Sequence, residues 1–564
     1  MNLKLIISLL LTAFSLVYAS ESRGASGNLL KELPVQDSGR IKPFDTFARE
    51  SLQLIYGRQT FKSEAGASRP ALEVVMTWIM QPQAWGDTPL FEISQNQVKK
   101  ALKFDGAKKY FTLNEIMNDD RLPVLMQELQ SKRESKEKLD PYFQALQRLE
   151  GQIFTFREIA AGRLLKLVPQ KEAGAAWTPI ADLQGPLQQS FLDITKAFVG
   201  VIGSVTGETK SEEHDATLKA LDVAVSHFED LARAQAPDVY PSVKDMQIEV
   251  HYNNFHPFQK AWILYLLAML AALISWTMGG NVSVHKRAYQ LAWALALGGL
   301  VLHIYGFCLR VYLMGRPPVS NMYETVIWVA FGAVVFSMVI EAMYRWRFIL
   351  LAGTMVGAFC LIVGDMAPAV LDSSLQPLEP VLRSNYWLLI HVLTITISYA
   401  AFFLAFALGD IGLIYYLRGE EKSPEKIKAL VLAIYRAMQI GVSFLAPGII
   451  LGGIWADYSW GRFWGWDPKE TWALIVLLGY MAVLHGRLAK WIKDFGMVCA
   501  AVVTFSLVIM AWYGVNFVLG AGLHSYGFGA GGVQYVATFV AIHLLLVVFV
   551  SVVRSGRLKQ GSKT

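Results

Sequence analysis

Charge is what this 564-residue sequence has least of. Asp, Glu, Lys and Arg make up 17% of it, against roughly 25% in an ordinary globular chain. The shortage is uneven, since Phe495 to Val553 is a run of 59 residues without one of the four. No soluble fold buries such a stretch, so the second half reads as integral to a membrane. Cysteine is scarce as well. Cys308, Cys360 and Cys499 all fall in apolar runs and form no CxxC, and residues 20–256 have none. A disulfide framework and thiol–disulfide exchange by this chain are excluded, and a buried small hydrophobe is the plain reading of each cysteine. Internal repeats, a Walker loop, a GxGxxG fingerprint, HExxH and GxSxG are also missing. Disorder, collagen and coiled coil do not fit the composition. The net charge of +6 is no sign of nucleic acid, because the basic residues cluster beside apolar spans, where topology accounts for them.

The chain opens with Met1-Asn2-Leu3-Lys4, a largely apolar Leu5 to Val17, and Val17-Tyr18-Ala19 before Ser20. This is the pattern of a signal peptide over residues 1–19, with an uncleaved N-terminal anchor as the alternative. Either one exports residues 20–256. Nine apolar spans follow, at about 259–278, 289–313, 322–343, 348–366, 387–417, 430–454, 471–489, 496–519 and 533–553. An outside start then places the tail 554–564 inside. Basic residues test this independently. His285-Lys286-Arg287, Arg345 with Arg347, Lys422 to Lys428, Arg487 to Lys493 and the tail all fall inside. The outer loops hold only Arg316, Arg383, Arg462 and Lys469. The expected fold is an all-α polytopic membrane protein with an exported, mostly helical N-terminal domain and a transmembrane domain over 257–553.

In the exported region, Pro141 to Gly162 and Ala216 to Ala234 repeat apolar residues at helical spacing. Leu33 to Arg40 reads as an extended or turn entry segment, and Ser131 to Lys138 as a solvated face or loop. No catalytic constellation is visible there, which leaves substrate docking or scaffolding as its expected role.

Trp455 to Trp472 reads WADYSWGRFWGWDPKETW and holds five of the sixteen tryptophans. An aromatic belt at the membrane interface is one reading. A platform for a large planar apolar ligand, flexed by Gly461 and Gly465 and turned by Asp467-Pro468, is the other. Two histidines stand at the same level: His391, near the outer end of span five, and His524, in the outer loop between spans eight and nine. Two imidazoles beside flat rings suit a bis-histidine haem site. His485, His303 and His543 lie within or near the ends of spans, where an imidazole needs a partner, iron or a neighbouring helix.

Trp460 to Ala473 resembles the tryptophan-rich "WWD" signature of the haem-handling proteins of cytochrome c maturation. Gly315-Arg316-Pro317-Pro318-Val319-Ser320-Asn321-Met322-Tyr323-Glu324 resembles a segment of the CcsA member of the system II cytochrome c synthase. The resemblance covers residues 290–553. It implies haem b as substrate and bound ligand, with His391 and His524 on its iron at the outer face. It also implies a transmembrane haem site at His485, whose partner in fused synthases lies in a CcsB part. This chain lacks that part's usual spans, and His303, or else His543, is the substitute. Trp455, Trp460, Trp464, Trp466, Asp467 and Trp472 would contact the ring. By their own chemistry Arg316 and Arg383, with Arg310, Arg462 and Lys469 as further candidates, could pair with its propionates, and interface snorkelling explains each of them alone equally well. Asp467 fits a turn-fixing role better than that of an acid, and no general base is expected. The implied function is haem delivery across the bacterial inner membrane and its attachment to the CxxCH thiols of apocytochrome c at the periplasmic face. A CcsB/ResB-type membrane protein and thiol-reducing proteins are the implied partners. A haem exporter or chaperone without synthase activity, and a membrane electron-transfer cytochrome, are the alternatives.

Overall fold

A computed structural model describes residues 29–63, 66–135, 139–172, 174–206, 211–277, 282–367, 370–377, 386–519 and 532–561. The leader or anchor segment 1–19, Arg383 and His524 lie outside the described residues. The chain divides into two compact units, Met1–Phe255 and His256–Thr564.

The first unit is helical, with four two-stranded antiparallel sheets among the described residues. The entry segment forms one of them. Pro34–Asp37 pairs with Arg40–Pro43 through Ser38 and Gly39, at φ 49° and 79°, the doubly left-handed turn that matches strand twist. Helix Pro141–Ala160 starts where Asp140 accepts from the Tyr142 and Phe143 amides, with Pro141 in the first turn, where no amide is needed. Helices Gly185–Thr206 and Ser211–Gln235 pack through Phe191 and Phe228. The charged stretch after Ser131 begins inside helix Leu122–Glu134, and residues 136–138 lie outside the described residues. Lys42 is fully buried but is held by Asp37 at 2.6 Å and Glu50 at 2.5 Å, while Arg40 forks onto Glu249. Paired in this way, the buried charges do not forfeit their solvation without return.

Nine helices among the described residues are long and apolar enough to cross a membrane. In the second unit they run as α1 (Pro257–Thr277), α2 (Val282–Met314), α3 (Met322–Tyr344), α4 (Phe348–Met366), α5 (Tyr386–Arg418), α6 (Pro424–Trp460), α7 (Pro468–Leu488), α8 (Asp494–Ile509) and α9 (Val533–Gly561). From α8 the chain continues as a π-helix, Met510–Leu519. α9 is at once the most apolar and the least buried, as a helix solvated by lipid should be. Cys308 corrects the reading of three buried cysteines. Cys360 is buried and Cys499 partly so, but Cys308 is exposed, on a helix whose outer surface lipid covers.

Helix pairing rests on glycine. Lipid offers no hydrophobic drive for helices to associate, so close backbone approach at small residues does the work. Between α5 and α6, a Cβ at Gly441 would strike Phe402, one at Gly448 Ile395, and one at Gly452 His391, all within 2.3–2.7 Å. The glycines advance by seven and then four residues as their partners recede by the same steps, which fixes an antiparallel register. Gly299 against Tyr265 and Gly306 against Phe258 set α1 on α2 in the same manner.

Candidate functional site

The same register builds one wall of a cavity in the second unit. Its lining is mostly apolar, with a few polar side chains among the rings and aliphatic groups, the composition of a small-molecule site. The N-terminal part of α5 and the C-terminal part of α6 form that wall, with His391, Ile395, Tyr399, Gly452 and Trp455. The segment before α3 adds Arg316 and Asn321, Trp464 comes from the α6–α7 connection, and Lys469 and Glu470 from the first turn of α7. Trp512 and Asn516 project from the π-helix.

His391 is held on two sides. Its Nδ1 lies 2.8 Å from the Gly448 carbonyl oxygen. A carbonyl only accepts, so Nδ1 carries the proton and Nε2 the lone pair. Orientation of a ligating imidazole by a backbone carbonyl is how metal sites fix the tautomer. Its ring lies nearly parallel to that of Trp455, at 8° with centroids 6.3 Å apart. Gly452 makes this possible, since any Cβ there would fall 2.4 Å from the imidazole Cε1.

The tryptophan segment is not one loop. α6 runs on to Trp460, so Trp455 and Trp460 are helical and pack edge to face. Gly461 ends the helix at φ 69°, and α7 begins at Pro468, placing Trp472 in a helix too. The connection is therefore residues 461–467, shorter than the sequence suggests, because an interfacial aromatic run continues a helix as readily as it leaves one. Glu470 organises it by accepting from Arg462 Nη1 at 3.0 Å, the Gly465 amide at 2.8 Å and the Asp467 amide at 3.2 Å. Asp467 in turn caps α7, accepting from the Lys469 amide, a reciprocal capping box. Trp464 lines the cavity. Trp466, at φ 56° and 69% exposed, stands at a right angle to Trp464 outside it.

Of the residues singled out in the sequence, the cavity brings together His391, Trp455, Trp464, Arg316 and Lys469. Trp460, Trp466, Asp467 and Trp472 support its frame or face elsewhere. Arg310 sits behind it, fully buried, donating to Glu324 and to the Ser373 carbonyl. Glu324 also takes Arg316 at 2.9 Å and the Ser320 amide and hydroxyl, which explains the density of polar residues in the segment 315–324. Gly448, Gly452, Trp512 and Asn516 were not singled out. The small-xxx-small spacing of Gly448 and Gly452 is their one sequence signal.

The other histidines are elsewhere. His303 is buried on α2, with Nε2 donating to the Ile327 carbonyl at 3.1 Å and Nδ1 3.2 Å from the Tyr265 hydroxyl; Phe258, Phe307 and Phe331 surround it. Iron on either nitrogen would have to displace one of these partners. His485, exposed near the end of α7, bonds the Met481 carbonyl of its own helix. His543 bonds the Phe539 carbonyl and approaches Asp410 at 3.5 Å. His303 and His485 share no partner among the described residues. Among those residues there is also no group of three or more His, Cys, Asp or Glu placed for a metal ion.

Residues 319–524 match the family described as Cytochrome C assembly protein. The chain is 32% identical to the cytochrome c biogenesis protein CcsA of a Synechococcus species, across 94% of that protein and 47% of this one. With CcsA of Chlamydomonas reinhardtii it shares 36% identity over 62% of that protein and 38% of this one. It is 29% identical to the protein NrfI of Wolinella succinogenes along 91% of its own length, spanning 56% of NrfI. A solved cytochrome c haem lyase, CcmF, aligns with 52% of this chain and 50% of its own at a TM-score of 0.39 and 15% identity.

Proposed function

Because this chain belongs to the CcsA family of cytochrome c biogenesis proteins, we propose that its cavity receives haem b and presents it for covalent attachment to the CxxCH thiols of apocytochrome c. The observation that carries the reading is His391. It is a tautomer-fixed imidazole in the wall of a mostly apolar cavity, backed by Trp455 and neighboured by Trp464. The residues suit haem: flat rings for the macrocycle, an Nε2 lone pair for iron, and cations for propionates. His524 is assigned as the second axial ligand. Haem supplies the reactive vinyl groups and the apocytochrome the thiols. The chain itself orients the ring and excludes water, with Asp467 and Glu470 holding the 461–467 connection in place.

The wider reading places the chain in the bacterial inner membrane, with the cavity and residues 20–256 on the periplasmic side. The exported unit is assigned to docking. A CcsB/ResB-type protein and thiol reductants are its partners in this scheme. His485 is assigned to a haem in transit, which for His303 as second ligand requires release of Tyr265 or Ile327. His391→Ala and His524→Ala should each abolish holocytochrome c formation while the protein still inserts, and added imidazole should restore part of it by filling the vacated iron site. Full activity in either variant overturns the ligand assignment. Retained haem export without thioether product in the wild type would replace synthase by transporter.

A further inference from the structure

Charges around the cavity do not balance. Arg310, Arg316, Arg462 and Lys469 face three carboxylates, Glu324, Asp467 and Glu470. Glu324 lies between Arg310 and Arg316, 2.9 Å from each, and Arg316 also donates to the Gln376 carbonyl. Arg462 is matched by Glu470 at 3.0 Å. The Asp467 carboxylate is engaged by the Lys469 backbone amide at 3.0 Å. The Lys469 ammonium lines the cavity, and its hydrogen bonds go to neutral oxygens, the Trp512 carbonyl and Asn516 Oδ1, both at 3.4 Å. That is the long limit of a hydrogen bond, in mostly apolar surroundings where charge is costly, and the through-space attraction of Asp467 offsets that cost only in part.

We infer that Lys469 is the anchor for a carboxylate of the bound ligand. Resting on the haem reading above, this makes a propionate its partner and Lys469 the residue that sets which edge of the macrocycle lies toward α7. Arg310 and Arg462, already matched by carboxylates, are left to hold the frame.

The test titrates purified full-length protein with haem and with haem dimethyl ester, whose carboxylates are blocked. Wild type should bind haem at least about tenfold more tightly than the diester, the scale of one charge-assisted hydrogen bond. Lys469→Met should erase that preference by weakening haem alone, leaving the diester within about twofold, and Lys469→Arg should restore it. A Lys469→Met protein that still prefers haem, or that loses both ligands equally, overturns the inference. Wild type binding both ligands equally also overturns it while leaving the haem reading intact. Wild type binding neither overturns the two together.

Discussion

Gly452 and His391 are 61 positions apart, yet one sets the other. A methyl group at 452 would need the space of the imidazole edge. Gly452→Ala should therefore push His391 off the Gly448 carbonyl, with an overpacking cost of roughly 1–3 kcal/mol. Haem retention should fall about tenfold or more with membrane insertion unchanged, read by the absorption spectrum of the purified protein. Gly556→Ala, where a Cβ meets nothing within 4 Å, is the matched control and should be silent. The residue scale is also where the sequence is least legible. His391 declares itself by sitting in an apolar run beside tryptophans. Its hydrogen-bond partner is a backbone carbonyl on another helix, and no side chain encodes that. The five candidate cations look alike in sequence because each is an Arg or Lys near an interface. Among the described ones, Glu324 and Glu470, brought in by the fold, show which are held in ion pairs.

Elements were legible wherever one property ran long enough. Apolar length announces α1 to α9, and helical periodicity announces Pro141–Ala160. Their ends were less so, because Trp455 to Trp460 has no residue that stops a helix before Gly461. Helix Ser211–Gln235 carries a property that no pattern shows. Burial pushes the Glu229 carboxyl up to about 7, with Arg233 opposing and Glu32 reinforcing the shift. The folded state therefore holds a proton that the unfolded chain releases near 4.5. The associated stability is present at low pH and is lost as pH rises through about 7, since the more protonated state is then the folded one. In full-length protein in detergent, protease cleavage within this helix should become easier between pH 5 and pH 8. Glu229→Gln should flatten that trend, matching wild type near pH 5 and resisting better at pH 8. An unchanged slope in the variant would mean that Glu229 is not the group responsible.

For the whole molecule, the alternation of basic loops predicts an orientation that labelling can check. With Cys308, Cys360 and Cys499 replaced, a single cysteine at Phe463 should react with a membrane-impermeant maleimide in intact cells. One at Trp491, after α7, should react only once the membrane is opened. The reverse result would put the cavity on the cytoplasmic side and remove its access to exported apocytochromes. The architecture follows from the sequence because a bilayer leaves a chain few options. The cavity does not, because it is assembled from four stretches of chain between Arg316 and Asn516 that meet only after the helices pack.

The matched glycine steps along α5 and α6 have a kinematic meaning. Three ring or branched side chains sit in three slots at a shared spacing, so sliding either helix along the other would strike all three at once. Such sliding meets steric resistance at all three positions, so a shift of α5 on α6 costs more than a shift at one slot would. The imidazole of His391 occupies one of these slots, and its place is held by the packing of two helices as well as by its hydrogen bond.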